Sequence, residues 1–169
     1  MRGADQRMEE KETDVMMRWV GIPLAIVFGD GAVKKCAEKK LAGGETKSLF
    51  GGRIRLQLLH NPGVALGALG KNPKLVLVLN GVLLGVAAGE LGHMLRGDGE
   101  TVAKTGLALL IGGGASNLID RLQRGYVTDY FSINAGERFQ RLRRIVFNCS
   151  DFCVFAGISC YVFGKAKRP

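Results

Sequence analysis

The stretch VFNCSDFCVFAGISCYVFG (146–164) decides the fold, because it is apolar over nearly the length of a membrane helix. Asp151 lies near its start, and a second aspartate, Asp129, ends the segment YVTD (126–129) shortly upstream. An ionisable side chain at membrane depth costs about 2.5–3.5 kcal/mol on insertion scales, so it usually has a partner or a function. Two carboxylates brought close together share a proton, and such a pair can activate water to hydrolyse a peptide bond.

Apolar blocks of similar length occur four times: MMRWVGIPLAIVFGDGAV (16–33), LVLVLNGVLLGVAAGELGHML (75–95), VAKTGLALLIGGGASNLI (102–119) and IVFNCSDFCVFAGISCYVFG (145–164). Each contains polar residues, but none has the broad charged face of a surface helix. The mean hydropathy of +0.12 is low because basic loops separate the blocks. We therefore predict an all-α membrane protein with four transmembrane helices, and a soluble helical core is the less favoured alternative.

Glycine is abundant, with 25 residues, as is common where membrane helices pack closely. In the second block, glycines recur along one helical stripe, which predicts a close helix–helix seam: Gly81, Gly85, Gly89 and Gly92. The run 112–114 in the third block predicts tight packing or a local bend.

The blocks divide the chain into a flexible cytoplasmic tail (1–15) and a four-helix transmembrane domain (16–169). The polar regions 34–74 and 120–144 become extracytoplasmic loops. Alternating residues within them predict two short strands, RIRLQLLHN (53–61) and YVTDYFSI (126–133). A small β-element is therefore predicted beside the helices.

Four spans put both termini on one side of the membrane, which we expect to be the cytoplasm. The outer loops then hold more basic residues than the inner segments, against the positive-inside tendency. A long loop can escape that tendency, and outward basic residues are suited to binding anionic lipid headgroups. We expect membrane lipids to be partners for this reason.

Cysteine and histidine do not predict a metal site or a catalytic histidine. Cys149 and Cys153 share a helix face, but no histidine lies near them, so we interpret them as small buried residues. His60 and His93 stand without a serine or cysteine motif.

Five segments match, in order, the motifs of one protein family: DGAVK (30–34), NPGVALG (61–67), GGGASNLIDR (112–121), GYVTDYFSI (125–133) and FNCSDFCVFAG (147–157). Together they resemble lipoprotein signal peptidase, also called signal peptidase II, a bacterial membrane aspartic protease family. The resemblance extends over roughly residues 20–164. Two positions depart from the family pattern: Leu66 stands where phenylalanine is usual, and Ser116 replaces a glycine.

The resemblance implies four transmembrane helices with a small extracytoplasmic β-cradle in the bacterial cytoplasmic membrane. It implies cleavage of prolipoproteins just before a cysteine that carries a diacylglyceryl group, without a metal or an organic cofactor. Asp129 and Asp151 match the two catalytic aspartates. We expect this pair at the outer face, where water can reach it, in a monomeric protein that binds no nucleic acid.

Other polar residues are predicted to line or brace the site: Asn61, Gly63, Asn117, Arg121 and Asn148. Arg121 can fork to a carboxylate or to a backbone carbonyl. Asn148 lies three residues before Asp151, on the same helix face if the helix has already begun.

Three further acids have supporting interpretations. Asp30 and Lys34 have the i, i+4 spacing of a structural ion pair. Asp120 is interpreted as the partner of a nearby arginine, and Glu90 as an interfacial residue.

Three alternatives stay open at this point. The first is an inactive relative that binds lipoproteins or lipid, which the changes at Leu66 and Ser116 allow. The second is a small multi-span transporter or channel subunit with a polar path lined by Asp30, Asn80 and Asp151. The third is a soluble basic domain that binds nucleic acid, suggested by the net charge of +9.

Overall fold

The computed structural model describes residues 2–63, 72–134 and 145–166. Its elements in chain order are α1 (Arg2–Lys40), β1 (Lys47–Leu49), β2 (Ile54–Asn61), α2 (Pro73–Met94), α3 (Thr101–Arg124), β3 (Val127–Ile133) and α4 (Cys149–Ala166). Each apolar block of the sequence falls largely within one of these helices.

Two helices extend further than the apolar blocks predicted. α1 begins at Arg2, inside the segment expected to be a flexible tail, and continues to Lys40. α3 continues to Arg124, where Gly125 ends it with a φ of 81°. The reason is that lysine, arginine, glutamate and methionine form helices as readily as apolar residues do. Both polar connections therefore begin later than residues 34 and 120.

Helix α3 is the centre of the helical packing and contacts α1, α2 and α4. Glycines let α4 come very close: a Cβ added at Gly106 would lie 2.5 Å from the Tyr161 backbone nitrogen. One added at Gly113 would lie 2.5 Å from the Ser150 carbonyl oxygen. The prediction of tight packing around residues 112–114 is therefore confirmed.

The predicted glycine seam on α2 is wrong. Among the described residues, no non-local atom would lie within 4 Å of a Cβ added at any of these four glycines: Gly81, Gly85, Gly89 and Gly92. The stripe faces open space because α2 meets α3 through other side chains, among them Ala87 and Leu91, which pack with Leu107. Helical spacing showed that these glycines share a face but could not show what the face meets.

Large apolar side chains cover the outside of the helices, the reverse of a soluble bundle. On α2, Val82, Leu83 and Val86 are 58, 65 and 66 % exposed, and on α4 Phe155 and Phe163 are 55 and 67 % exposed. Within the described residues, α2 and α3 are the two helices long and apolar enough to cross a membrane by length and composition. Two of the four predicted spans thus meet this criterion.

The strands form one antiparallel sheet in the order β1-β2-β3. β2 and β3 confirm the two strands predicted from alternation, while β1 was not predicted because three exposed residues carry no periodic signal. An irregularity in register between Leu56 and Leu59 interrupts the β2–β3 pairing. Beyond it, Leu59 pairs with Asp129, so the end of β2 lies beside that carboxylate.

Candidate active site

Asn148 brings the two predicted catalytic aspartates into one cluster. Its side-chain Nδ2 donates a hydrogen bond to Oδ1 of Asp129, at 2.7 Å. Its backbone N–H donates to Oδ2 of Asp151, at 3.0 Å. Asp129 comes from β3 and Asp151 from the first turn of α4. One fully buried residue therefore contacts both carboxylates.

Asn148 holds this position because it is the N-cap of α4, which begins at Cys149. Its Oδ1 accepts the N–H of Asp151 at 3.0 Å while Asp151 accepts the N–H of Asn148, the reciprocal pattern of a capping box. The sequence placed the two residues on one helix face only if the helix had begun by Asn148, and the helix begins one residue later, at Cys149.

Two further asparagines complete the surroundings of the pair. Asn61, the last residue of β2, donates from Nδ2 to Oδ2 of Asp129 at 3.0 Å. Asn117 on α3 donates from Nδ2 to Oδ1 of Asp151 at 3.1 Å. Each carboxylate thus accepts hydrogen bonds from two amide groups, which fixes its orientation.

Asp129 is the more deeply buried member of the pair, with 2 % of its surface exposed. This burial, together with the charge of Asp151 and against the hydrogen bond from Asn61, raises the pKa of the Asp129 carboxyl to about 6. With Asp151 ionised, Asp129 therefore holds a proton to a much higher pH than an ordinary aspartate. The pair can carry a single proton and a single charge in mildly acidic to neutral conditions.

Arg121 connects the sheet to α3 through backbone oxygens. Its guanidinium donates to the carbonyl oxygen of Gly63 at 2.6 Å and to that of Asn117 at 3.2 Å. The N–H of Gly63 in turn donates to Oδ1 of Asn61, at 3.0 Å. Arg121 therefore uses its fork on backbone carbonyls, and Gly63 secures the amide that contacts Asp129.

An ionic cluster lies next to the pair. Lys34 Nζ is 2.7 Å from Asp30 Oδ2, so the two residues of the predicted ion pair meet. The same ammonium lies 2.9 Å from Asp120 Oδ2. Asp120 was expected to pair with an arginine. That prediction is wrong, because the packing of α1 against α3 brings the Lys34 ammonium to Asp120.

Two serine hydroxyls complete this cluster. Their role was not predicted from the sequence. The hydroxyls of Ser116 and Ser150 both donate to Oδ2 of Asp30. Ser116, one of the two departures from the family pattern, thus has a hydrogen-bonding role. The only sequence signal was the presence of small polar residues inside apolar helices. The other departure, Leu66, lies outside the described residues.

Glu90, Cys149 and Cys153 form no hydrogen bond with either aspartate among the described residues. Glu90 accepts a hydrogen bond from the Tyr161 hydroxyl at 3.1 Å and pairs with Lys165 at 3.2 Å. Cys149 is exposed and Cys153 partly exposed, so the expectation of small buried residues is wrong. Cys153 is only half-buried although it faces α3, where its Cβ would lie 3.2 Å from a Cβ added at Gly113.

Among the described residues, the aspartate pair has neither a histidine partner nor a set of metal ligands. His60 Nε2 lies 2.9 Å from Glu38 Oε1 and is partly exposed, and no hydrogen bond joins it to either aspartate in the described residues. Across the same residues, no group of three or more His, Cys, Asp or Glu side chains is arranged to hold a metal ion.

Comparison with known proteins agrees with the motifs. A family model described as signal peptidase (SPase) II matches residues 22–166. The lipoprotein signal peptidase of Lactiplantibacillus plantarum is 30 % identical over 151 residues, covering 88 % of this chain and 95 % of that protein. That of Sulfurihydrogenibium sp. is 28 % identical over 161 residues, covering 90 and 96 %. The resemblance expected from the sequence is confirmed.

Solved structures share the architecture. One bacterial membrane enzyme superposes with a TM-score of 0.72 at 19 % identity, covering 89 % of this chain and 88 % of its own. A second gives a TM-score of 0.70 at 20 % identity, covering 90 and 94 %. At such identities the likeness establishes the fold alone.

Proposed function

We propose that this chain, which belongs to the signal peptidase II family, removes the signal peptide from prolipoproteins as an aspartic endopeptidase. The bond cleaved would be the one before a cysteine that carries a diacylglyceryl group. The chain matches relatives named lipoprotein signal peptidase over nearly their whole length. The transporter and nucleic-acid alternatives have no comparable support.

One observation carries the catalytic assignment: Asp129 and Asp151 meet on a single buried residue, Asn148. Their four amide donors leave each carboxylate oriented, and Asp129 has the raised pKa, about 6, that a proton-sharing pair needs. An inactive relative would have no reason to keep two partly desolvated acids together. We therefore assign the catalytic role to this pair.

The reaction needs one base and one acid, and the pair supplies both. The ionised carboxylate takes a proton from a water molecule as the water oxygen attacks the carbonyl carbon of the scissile bond. The protonated carboxyl donates its proton to the carbonyl oxygen, which becomes a hydroxyl in the tetrahedral intermediate. As the intermediate collapses, its hydroxyl proton returns to the carboxylate that donated it and the carbonyl re-forms. The C–N bond breaks, and the leaving nitrogen takes the proton that the other aspartate removed from water, which restores the pair. Which aspartate starts as the acid is a property of the pair.

The site is proposed to lie at the outer surface of the cytoplasmic membrane, with α1, α2, α3 and α4 as spans. Exposed apolar side chains on α1 and α4, such as Phe28 at 73 % and Phe163 at 67 %, support the two spans that composition does not mark. The aspartates lie where β3 meets the start of α4, so the sheet can stand outside the membrane. Water and a substrate anchored by its lipid could then meet there.

Replacing either aspartate by asparagine tests the assignment. Asp129→Asn and Asp151→Asn keep the side-chain shape but remove the shared proton and charge. We expect kcat on a lipidated prolipoprotein peptide to fall on the order of 1,000-fold or more, since both general acid and general base depend on the pair. Cleavage is followed by mass spectrometry in detergent micelles.

A matched control is Asp98→Asn, since Asp98 is exposed in the turn between α2 and α3. It should cleave like the unsubstituted enzyme. The same peptide without its diacylglyceryl group should be a poor substrate. Cleavage at the unsubstituted rate by either aspartate variant would remove the pair from the mechanism.

A further inference from the structure

Lys34 has more contacts than a structural ion pair requires. Its side chain is 1 % exposed, and its ammonium is neutralised by Asp30 at 2.7 Å and Asp120 at 2.9 Å. A buried charge needs such compensation, and these two acids already supply it. A third short contact goes elsewhere: Nζ donates to Oδ1 of Asn117 at 2.9 Å. This contact joins the ionic cluster to the catalytic pair.

The contact determines which way the Asn117 amide faces. The two ends of a carboxamide have nearly the same shape, so either could point to Asp151. An ammonium can only donate, and therefore the atom that faces Lys34 is the oxygen. The amide nitrogen of Asn117 is then directed at Oδ1 of Asp151, at 3.1 Å.

The orientation passes on to Asn148. Its Nδ2 lies 3.2 Å from Oδ1 of Asn117 and 2.7 Å from Oδ1 of Asp129, so one N–H group serves each oxygen. Its own oxygen accepts the N–H of Asp151. If Asn117 turned around, two N–H groups would face each other and Asn148 would lose an acceptor. The two amides are therefore oriented together, and Lys34 selects the orientation.

We infer that Lys34 is a positioning residue for proteolysis, which orients the Asn117 amide so that Asn117 and Asn148 both direct N–H groups at the carboxylate pair. The inference rests on the proposed function. Lys34 acts through Asn117, since no hydrogen bond joins it to Asp129 or Asp151 in the described part of the chain. Its positive charge also lowers the pKa of Asp129, against the effect of burial.

The direct test is Lys34→Met, which keeps the length of the side chain but removes the charge and the donor. We expect kcat per folded enzyme to fall on the order of 100-fold, as small misplacements of catalytic groups do, with KM nearly unchanged. The limb of the pH profile governed by Asp129 should move to higher pH. A purely structural lysine would lower the folded fraction and leave kcat per folded enzyme in place, although the loss of its charge would still move this profile.

Lys34→Met leaves two buried acids without their cation, so a second variant separates stability from positioning. Lys34→Met combined with Asp30→Asn and Asp120→Asn removes those charges together, and its unfolding temperature should recover. Its kcat should stay low, because the Asn117 oxygen has lost the ammonium donor and keeps only the longer contact from Asn148 Nδ2, at 3.2 Å. Recovery of kcat along with stability would show that Lys34 serves only the fold.

Lys104→Met is the matched control. Lys104 is also buried, at 7 % exposure, and donates to the Gly97 carbonyl oxygen at 2.7 Å. It lies thirteen residues before Asn117 on α3, roughly 20 Å away along the helix axis. We expect lower stability but an unchanged kcat and pH profile for the folded enzyme.

The outcomes separate this inference from the function beneath it. A folded Lys34→Met enzyme with the unsubstituted kcat overturns the positioning role alone, whatever its pH profile. If the unsubstituted enzyme fails to cleave the lipidated peptide, the proposed function fails first and the inference with it. A low kcat and a shifted profile in Lys34→Met, absent in Lys104→Met, support it.

Discussion

At the scale of single residues, this site is built from amides rather than from arginine or lysine contacts to the acids. Asn61, Asn117 and Asn148 supply the donors to the two carboxylates. Neutral donors orient a carboxylate without lowering its pKa as far as a paired cation would. An acid that must carry a proton during catalysis is therefore better held by asparagine.

Asn61 offers a test of this balance. Its hydrogen bond stabilises the charged form of Asp129, so Asn61→Ala should raise the pKa of Asp129 above its value of about 6. A net hydrogen bond of about 0.5–1.5 kcal/mol corresponds to a shift of about 0.5–1 unit. The limb of the kcat/KM profile that Asp129 governs should move to higher pH by that amount.

The control for this shift is Asn134→Ala. Asn134 follows β3 and donates to the Gly52 carbonyl oxygen at 3.1 Å, away from the pair. Its pH profile should match that of the unsubstituted enzyme. A downward shift in Asn61→Ala would contradict the hydrogen-bond direction that we assign.

At the scale of elements, α3 is the helix against which the site is assembled. It carries Asn117, Asp120 and Arg121 at the end where α1 and α4 bring their own polar residues. Glycines along α3 let α4 approach until backbones touch, as at Gly106 and Gly157. The separation of these helices sets the contact between Asn117 on α3 and Asp151 on α4.

A pair of glycine substitutions tests the packing of α3 on α4. In Gly106→Ala the added Cβ would meet the Tyr161 nitrogen at 2.5 Å and the Gly157 oxygen at 2.6 Å, both backbone atoms. We expect a loss of about 1–3 kcal/mol in the free energy of unfolding from overpacking. Thermal or denaturant unfolding in detergent gives the measurement.

Gly85→Ala is the matched control on α2, because a Cβ there meets nothing within 4 Å. Alanine favours a helix over glycine by up to about 1 kcal/mol, so this variant should be as stable as the unsubstituted protein or more so. Equal losses in both variants would mean that the α3–α4 contact is looser than described.

At the scale of the whole molecule, many large apolar side chains point outward while several polar and charged ones are buried. Lys34, Asn148, Thr128 and Ser150 are the largest side chains with less than 2 % exposure. Such an arrangement would be costly in water and suits a lipid environment. It leaves the polar site as the part of the molecule that must reach the membrane surface.

Cysteine labelling tests the proposed orientation. Cys36 is exposed near the end of α1, close to the β-sheet end of the molecule. In a variant whose other three cysteines are replaced by serine, a membrane-impermeant maleimide should label Cys36 in intact spheroplasts. With all four replaced, Asp98→Cys should be labelled only after permeabilisation. The reverse pattern would place the site at the cytoplasmic face.

Much of this protein follows from local sequence patterns. The apolar blocks located the four helices of the described residues, alternation located β2 and β3, and five short motifs identified the family and both aspartates. These features can be predicted because each depends on residues that are neighbours along the chain. For the same reason the helix ends at Arg2, Lys40 and Arg124 were not anticipated, since charged helix formers continue a helix without an apolar signal.

Spacing along the chain could not reveal which polar groups meet. The α2 glycine stripe faces open space, Asp120 pairs with Lys34 rather than with an arginine, and Asn148 is a cap that bridges two acids. Lys34 and Asn117 are 83 positions apart, and their hydrogen bond exists because α1 and α3 pack together. The sequence by itself determined that acids, amides and a lysine are present. Which of them become donor and acceptor partners was decided only by the packing of separate helices and a sheet.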